Sequence, residues 1–184
     1  MPQREITCSG GYIVQLASEL DEPRFKARVA TLKSAGRLPA GALAADSARS
    51  CRIFTSQANT LVLYSGPFPS KYDGCAARLA GPADAYIKGG NTATSGEYVS
   101  CLCPAAPAAV PRYSVVGQQG VWVGELQRVL GNRLGIDVPD LAGHWGTFTA
   151  GTQAAVRTFQ QAAKLPANGV VDARTWSALQ SAQC

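Results

Sequence analysis

The segment Cys103-Pro104-Ala105-Ala106-Pro107-Ala108-Ala109-Val110-Pro111 constrains this chain more than any other. Prolines repeating among alanines continue neither a helix nor a central strand, and they favour an extended, semi-rigid spacer. Just upstream, Gly89-Gly90-Asn91-Thr92-Ala93-Thr94-Ser95-Gly96 reads as a polar loop. The 184 residues therefore divide into an N-terminal unit over 8–95, a connector over 96–116 and a C-terminal unit over 117–184. Neither unit exceeds about a hundred residues, and domains of that size have thin cores, where disulfides help most.

Cys8, Cys51, Cys75, Cys101, Cys103 and Cys184 are an even number of cysteines scattered along the chain. Metal sites use paired ligands such as C-x2-C together with histidines, and the only histidine is His144. Cys101 and Cys103 are one residue apart, not the two that a thioredoxin-type motif requires. The six are read as structural disulfides formed in an oxidising, extracytoplasmic compartment rather than as buried free thiols. Their pairing stays open among about 15 connectivities. No stretch approaches the ~18 consecutive apolar residues of a membrane helix. Residues 1–8 lack the apolar core of a signal peptide, so a mature or trimmed form is expected.

With 46% hydrophobic residues, the composition is not that of a disordered tail. The net charge of +5 is spread evenly. Its longest basic cluster, Arg24-Phe25-Lys26-Ala27-Arg28, reads as a solvated helix face. Nucleic-acid binders concentrate such residues in a run or on one surface, which this chain does not do.

In the N-terminal unit, Tyr12-Ile13-Val14-Gln15-Leu16 alternates as a strand. Phe25, Val29 and Leu32 recur at helical spacing, with Gly36 as a stop. Strands are predicted at Cys51–Thr55 and Thr60–Tyr64, joined by a turn around Gln57-Ala58-Asn59, with Gly66-Pro67-Phe68-Pro69 breaking the pattern. A short helix through Tyr72, Cys75, Ala76 and Leu79 and a strand over Ala83–Lys88 complete a βαββαβ order. That order implies an α+β fold: a four-stranded antiparallel sheet with both helices on one face and the other face open. The C-terminal unit reads as a small three-helix bundle. Its helices are marked by Val123, Leu126 and Leu134, by Thr152, Ala155, Val156 and Phe159, and by Trp176 and Leu179, with Asp172 capping the third.

The C-terminal strings Glu125-Leu126-Gln127, Gly143-His144-Trp145-Gly146, Thr152-Gln153-Ala154-Ala155-Val156-Arg157-Thr158-Phe159-Gln160, Gly169-Val170-Val171 and Thr175-Trp176-Ser177-Ala178-Leu179 resemble the peptidoglycan-binding domain family of three-helix modules. The resemblance spans residues 117–182. It implies a ligand groove to which His144, Trp145, Phe148 and Thr152 contribute. Two departures, Ala142 in place of the family's Asp and the intervening Thr147–Gly151, border that groove and bear on ligand preference. Tyr12-Ile13-Val14-Gln15-Leu16-Ala17-Ser18 and Gly66-Pro67-Phe68 resemble the SPOR domain, a βαββαβ module that binds peptide-stripped septal glycan. That resemblance implies glycan contacts from Gln15 and Ser18, and from Tyr86 near the last strand. A glycan offers hydroxyls, N-acetyl groups and apolar sugar faces, which suit amide, hydroxyl and aromatic partners.

No catalytic constellation is visible. One histidine does not build a zinc hydrolase site, and no cysteine sits in a nucleophile motif. Asp21-Glu22 and Asp137/Asp140 read as solvated loop acids rather than glycosidase carboxylates. The sequence therefore points to a non-catalytic wall-binding protein without cofactor or metal, whose partner is peptidoglycan and which attaches through two modules. Two alternatives stand beside it. One is the targeting portion of a larger wall hydrolase or amidase, with a hydrolase or division protein as partner. The other is an RNA-binding βαββαβ module, which the lack of an aromatic-rich third strand argues against.

Overall fold

The computed structural model describes residues 1–8, 10–54 and 59–184. They form two compact units, residues 1–99 and 100–184.

The first unit is α+β, as its order of elements implies. It contains β1 (Tyr12–Glu19), α1 (Glu22–Ser34), β2 (Leu43–Asp46), β3 (Leu61–Phe68), α2 (Cys75–Ala80) and β4 (Tyr86–Gly89). The strands lie in the order β2-β3-β1-β4, with antiparallel pairing throughout. Local chemistry starts and stops α1. Asp21 Oδ1 accepts from the Arg24 N–H at 2.8 Å, and Pro23 occupies the first turn. Gly36 takes the left-handed φ of +63° just past the end.

Two strand readings change. Cys51–Phe54 is not a strand; Cys51 and Ile53 are buried by packing on the sheet, Ile53 with no exposed surface, and Phe54 packs half-buried against them. Thr55 and the expected turn at Gln57-Ala58 lie outside the described residues. The second strand is instead Leu-Ala-Ala-Asp at 43–46, a string with little β propensity that is recruited by its ladder to β3. Gly66-Pro67 does not end β3. The register slips between Tyr12↔Phe68 and Val14↔Ser65, and this bulge absorbs the proline, which could not donate to a regular ladder.

The sheet face expected to stand open is covered. Ile13, Val62 and Tyr64 on that face pack with Ile6, Cys51 and Ile53. The Cys8–Cys51 disulfide pins the covering segments together, and the Tyr64 hydroxyl donates to the Arg4 carbonyl at 2.8 Å. Ile13 and Tyr64 share this face, and large apolar groups left there in water are costly. The N-terminal residues and the 50–54 segment remove that cost.

The second unit contains α3 (Val121–Arg128), which runs on through a π turn over Val129–Arg133, then α4 (Ala150–Ala162) and α5 (Ala173–Gln183). Its core includes Leu126, Leu130, Phe148, Val156, Trp176 and Leu179, none more than 1% exposed. Residues 100–113, within the segment read as a spacer, pack onto this core. Leu102, Val110 and Tyr113 are buried in it, and Pro107–Ala109 forms a 3-10 turn. Carbonyls that this proline-rich segment leaves unpaired are met by α5. The two protons of the Gln180 amide nitrogen are shared among the Leu102, Cys103 and Ala105 carbonyls, and the Trp176 indole N–H donates to the Pro111 carbonyl at 2.9 Å. The Cys103–Cys184 disulfide ties the same segment to the end of α5. Cys75 and Cys101 are disulfide-bonded as well, and no described cysteine is free.

Candidate functional site

Two buried glutamines organise the helical unit. Gln127, on α3, is fully buried; its Oε1 accepts from the Gly146 N–H at 2.9 Å. Its Nε2 faces the Thr147 carbonyl at 2.9 Å, Thr152 Oγ1 at 3.0 Å and the His144 carbonyl at 3.3 Å. Gln160, on α4, repeats the arrangement. It accepts from Gly169 N–H at 2.8 Å and faces the Val170 carbonyl at 2.8 Å and Thr175 Oγ1 at 3.2 Å. Gly146 and Gly169 take φ of +79° and +73°. Each is followed by a buried apolar residue (Phe148, Val171) and then by an N-cap. Thr149 caps α4 through Thr152 N–H, and Asp172 caps α5 through Thr175 N–H. That hydrogen bond holds the Asp172 carboxyl below its ordinary pKa.

The unit thus carries one device twice: a helix-borne glutamine clasping a Gly-x-apolar-cap loop that opens the next helix. Gly146-Thr147-Phe148-Thr149 corresponds to Gly169-Val170-Val171-Asp172, and the two threonines that follow, Thr152 and Thr175, correspond in turn. Thr147–Gly151 is therefore the loop and first turn of α4 rather than an insertion beside a groove.

This geometry sorts the expected ligand residues. Phe148 and Thr152 have no exposed surface, so neither is open to a ligand in this structure. Phe148 stacks on Tyr113 with ring centroids 6.1 Å apart, and Thr152 completes the Gln127 clasp. The reason is the repeat: in this unit the apolar position of each loop is a core plug. His144 is exposed and Trp145 is half-buried. Nδ1 of His144 lies 2.9 Å from the Asp140 carbonyl and 3.2 Å from that of Ala142. Carbonyls only accept, so Nδ1 carries the proton and Nε2 faces outward as an acceptor in the neutral ring. The Arg128 guanidinium sits 4.7 Å from the Trp145 ring centroid, an aligned cation–π pair. The loop bends through left-handed backbone at Asp140 (+61°) and Gly143 (+78°).

Residues 119–179 match the family model described as "Putative peptidoglycan binding domain". The peptidoglycan-binding domain so matched takes in both glutamine clasps and the His144–Trp145 loop. Curated proteins and solved structures return no match to the chain, and nothing in these comparisons supports the SPOR resemblance of the N-terminal unit. There, Gln15 pairs across the sheet with Tyr86 on β4 and with Tyr64 on β3. Gln15 is only 9% exposed, and its Oε1 has no hydrogen-bond partner among the described residues. Ser18 is exposed, near the far end of β1. Among the described residues no group of three His, Cys, Asp or Glu is placed to hold a metal, and no helix is long and apolar enough to cross a membrane.

Sequence reasoning missed Gln127, Gln160 and Arg128. The repeated Gly-x-apolar-cap-x-x-Thr string was the available signal for the first two. Arg128 had none, because its ring partner lies across a loop.

Proposed function

We propose that this chain is a non-catalytic, extracytoplasmic peptidoglycan-binding protein whose helical unit holds wall polymer at the loop carrying His144 and Trp145. The observation that carries this reading is that the family match encloses a surface loop rigidly clasped by Gln127. A half-buried indole offers a platform for an apolar sugar or peptide face, and the outward imidazole nitrogen accepts a hydrogen bond from a hydroxyl or amide. The test is co-sedimentation of the oxidised chain with purified bacterial sacculi. Pelleting that falls at least fivefold in Trp145→Ala and His144→Ala, with unchanged thermal stability, supports the site. No pelleting of the unaltered chain overturns the reading.

A second attachment point on the first unit would use Gln15 and Tyr86 and requires the cover over that face to open, because Gln15 Oε1 is buried there without a hydrogen-bond partner among the described residues. Two weak contacts on one polymer raise apparent affinity through effective concentration. Binding that rises on peptide-stripped sacculi and drops in Gln15→Ala and Tyr86→Ala supports it; equal binding throughout leaves the helical unit as the sole anchor. A hydrolase domain elsewhere in the same reading frame would make the chain the targeting part of an enzyme.

A further inference from the structure

A groove of about 730 Å³ runs between α1, β2 and the first residues of the chain, which hydrogen-bond to β2 at Ala44. It exists because β2 presents Ala44, too small to fill the space beside α1; Val29 and Leu61 complete an aliphatic floor. Lys26, Lys33 and Arg49 stand along it against the single acid Glu22. Glu22 pairs with Lys26 at 2.8 Å, and Arg49 pairs with Asp46 at 3.2 Å. Lys33 is exposed and has no ion-pair partner among the described residues. Lys26 and Lys33 lie seven positions apart on one face of α1, which is about 10 Å along the axis.

We propose that this groove binds a short acidic peptide in extended form, with small aliphatic side chains on the floor and carboxylates at Lys33 and at the Lys26 end. Roughly three extended residues span the 10 Å between those cations. A nucleotide is disfavoured because base binding needs an exposed aromatic face, and Phe25, the aromatic lining the groove, is 8% exposed. The stem peptide of peptidoglycan, with its alanine methyl groups and several carboxylates on a few residues, has the required chemistry. That choice of source rests on the wall-binding reading of the helical unit.

The experiment titrates the ¹⁵N-labelled, oxidised full chain with the synthetic tetrapeptide alanyl-glutamyl-diaminopimelyl-alanine in its wall stereochemistry. A carboxamide-blocked Ala-Gln-Lys-Ala peptide serves as the control. Amide shifts at Lys26, Val29, Lys33 and Ala44, and affinity reduced at least tenfold by Lys33→Glu and by Ala44→Leu, support the proposal. Salt weakens binding in that case. Equal binding of the blocked peptide, shifts confined to residues 119–179, or no shifts at all overturn it. Sacculus pelleting of the same samples separates the two ideas. Trp145-dependent pelleting without α1 shifts removes the groove and leaves the wall reading; α1 shifts without pelleting do the reverse.

Discussion

Replacing Gln127 with Met keeps the length and apolar stem of a fully buried side chain and deletes its amide. An amide nitrogen has two protons, so the three acceptors facing Nε2 amount to two full bonds, the 3.3 Å contact to the His144 carbonyl being the weakest. With the Gly146 N–H to Oε1, three bonds are lost. Net values of about 1 kcal/mol each set a floor near 3 kcal/mol. A buried N–H and carbonyl left unpaired raise the expectation to about 3–5 kcal/mol, less whatever water recovers. Trp122, Trp145 and Trp176, the only tryptophans, all lie in the second unit, so fluorescence during urea unfolding reads that unit directly. Gln160→Met, which deletes the repeated clasp, is expected to cost a similar amount. A loss below about 1 kcal/mol for Gln127→Met, with the loop amides still protected from hydrogen exchange, would refute the clasp as what holds the His144–Trp145 loop.

Asp172→Ala should cost about 1 kcal/mol by removing the α5 cap. Because the Asp172 carboxyl is held below its ordinary pKa when folded, its stabilisation is present above the unfolded value and is lost as pH falls through the folded one. Acid titration of stability below about pH 4 should show this component in the unaltered chain and not in Asp172→Asn. Opening Cys103–Cys184 with paired alanines removes a cross-link of sequence separation 81, about 4.5 kcal/mol by chain entropy, and the urea midpoint of the second unit should fall accordingly. In the Cys8→Ala/Cys51→Ala chain the cover over the first sheet loosens, and hydrogen exchange at Ile13 and Tyr64 should rise while α5 stays unchanged. Equal exchange in both forms would mean that apolar packing alone holds the cover.

What could be read in advance was local. Helical spacing of Leu126, Val156 and Leu179 and the cap at Asp172 depend on neighbours within a few positions, so the α3–α5 unit was legible. Alternation in β1 and the order βαββαβ were legible for the same reason. Ile53 and Phe54 misled because a buried apolar run carries no sign of whether it lies in a ladder or lies across one. Phe148 misled because its role follows from the clasp beside it, not from its position in an irregular segment.

The sequence by itself determined the α+β and helical halves, the oxidised cysteines and a match to a wall-binding family, since each rests on residue type and short spacing. Tertiary structure alone decided that the sheet face is covered, that the Pro-Ala segment is stitched to α5, and which loop residues reach solvent. Those outcomes depend on contacts between segments tens of residues apart, such as Arg4 with Tyr64 and Leu102 with Gln180. Burial and buried hydrogen bonds across such separations leave no periodic trace in the chain.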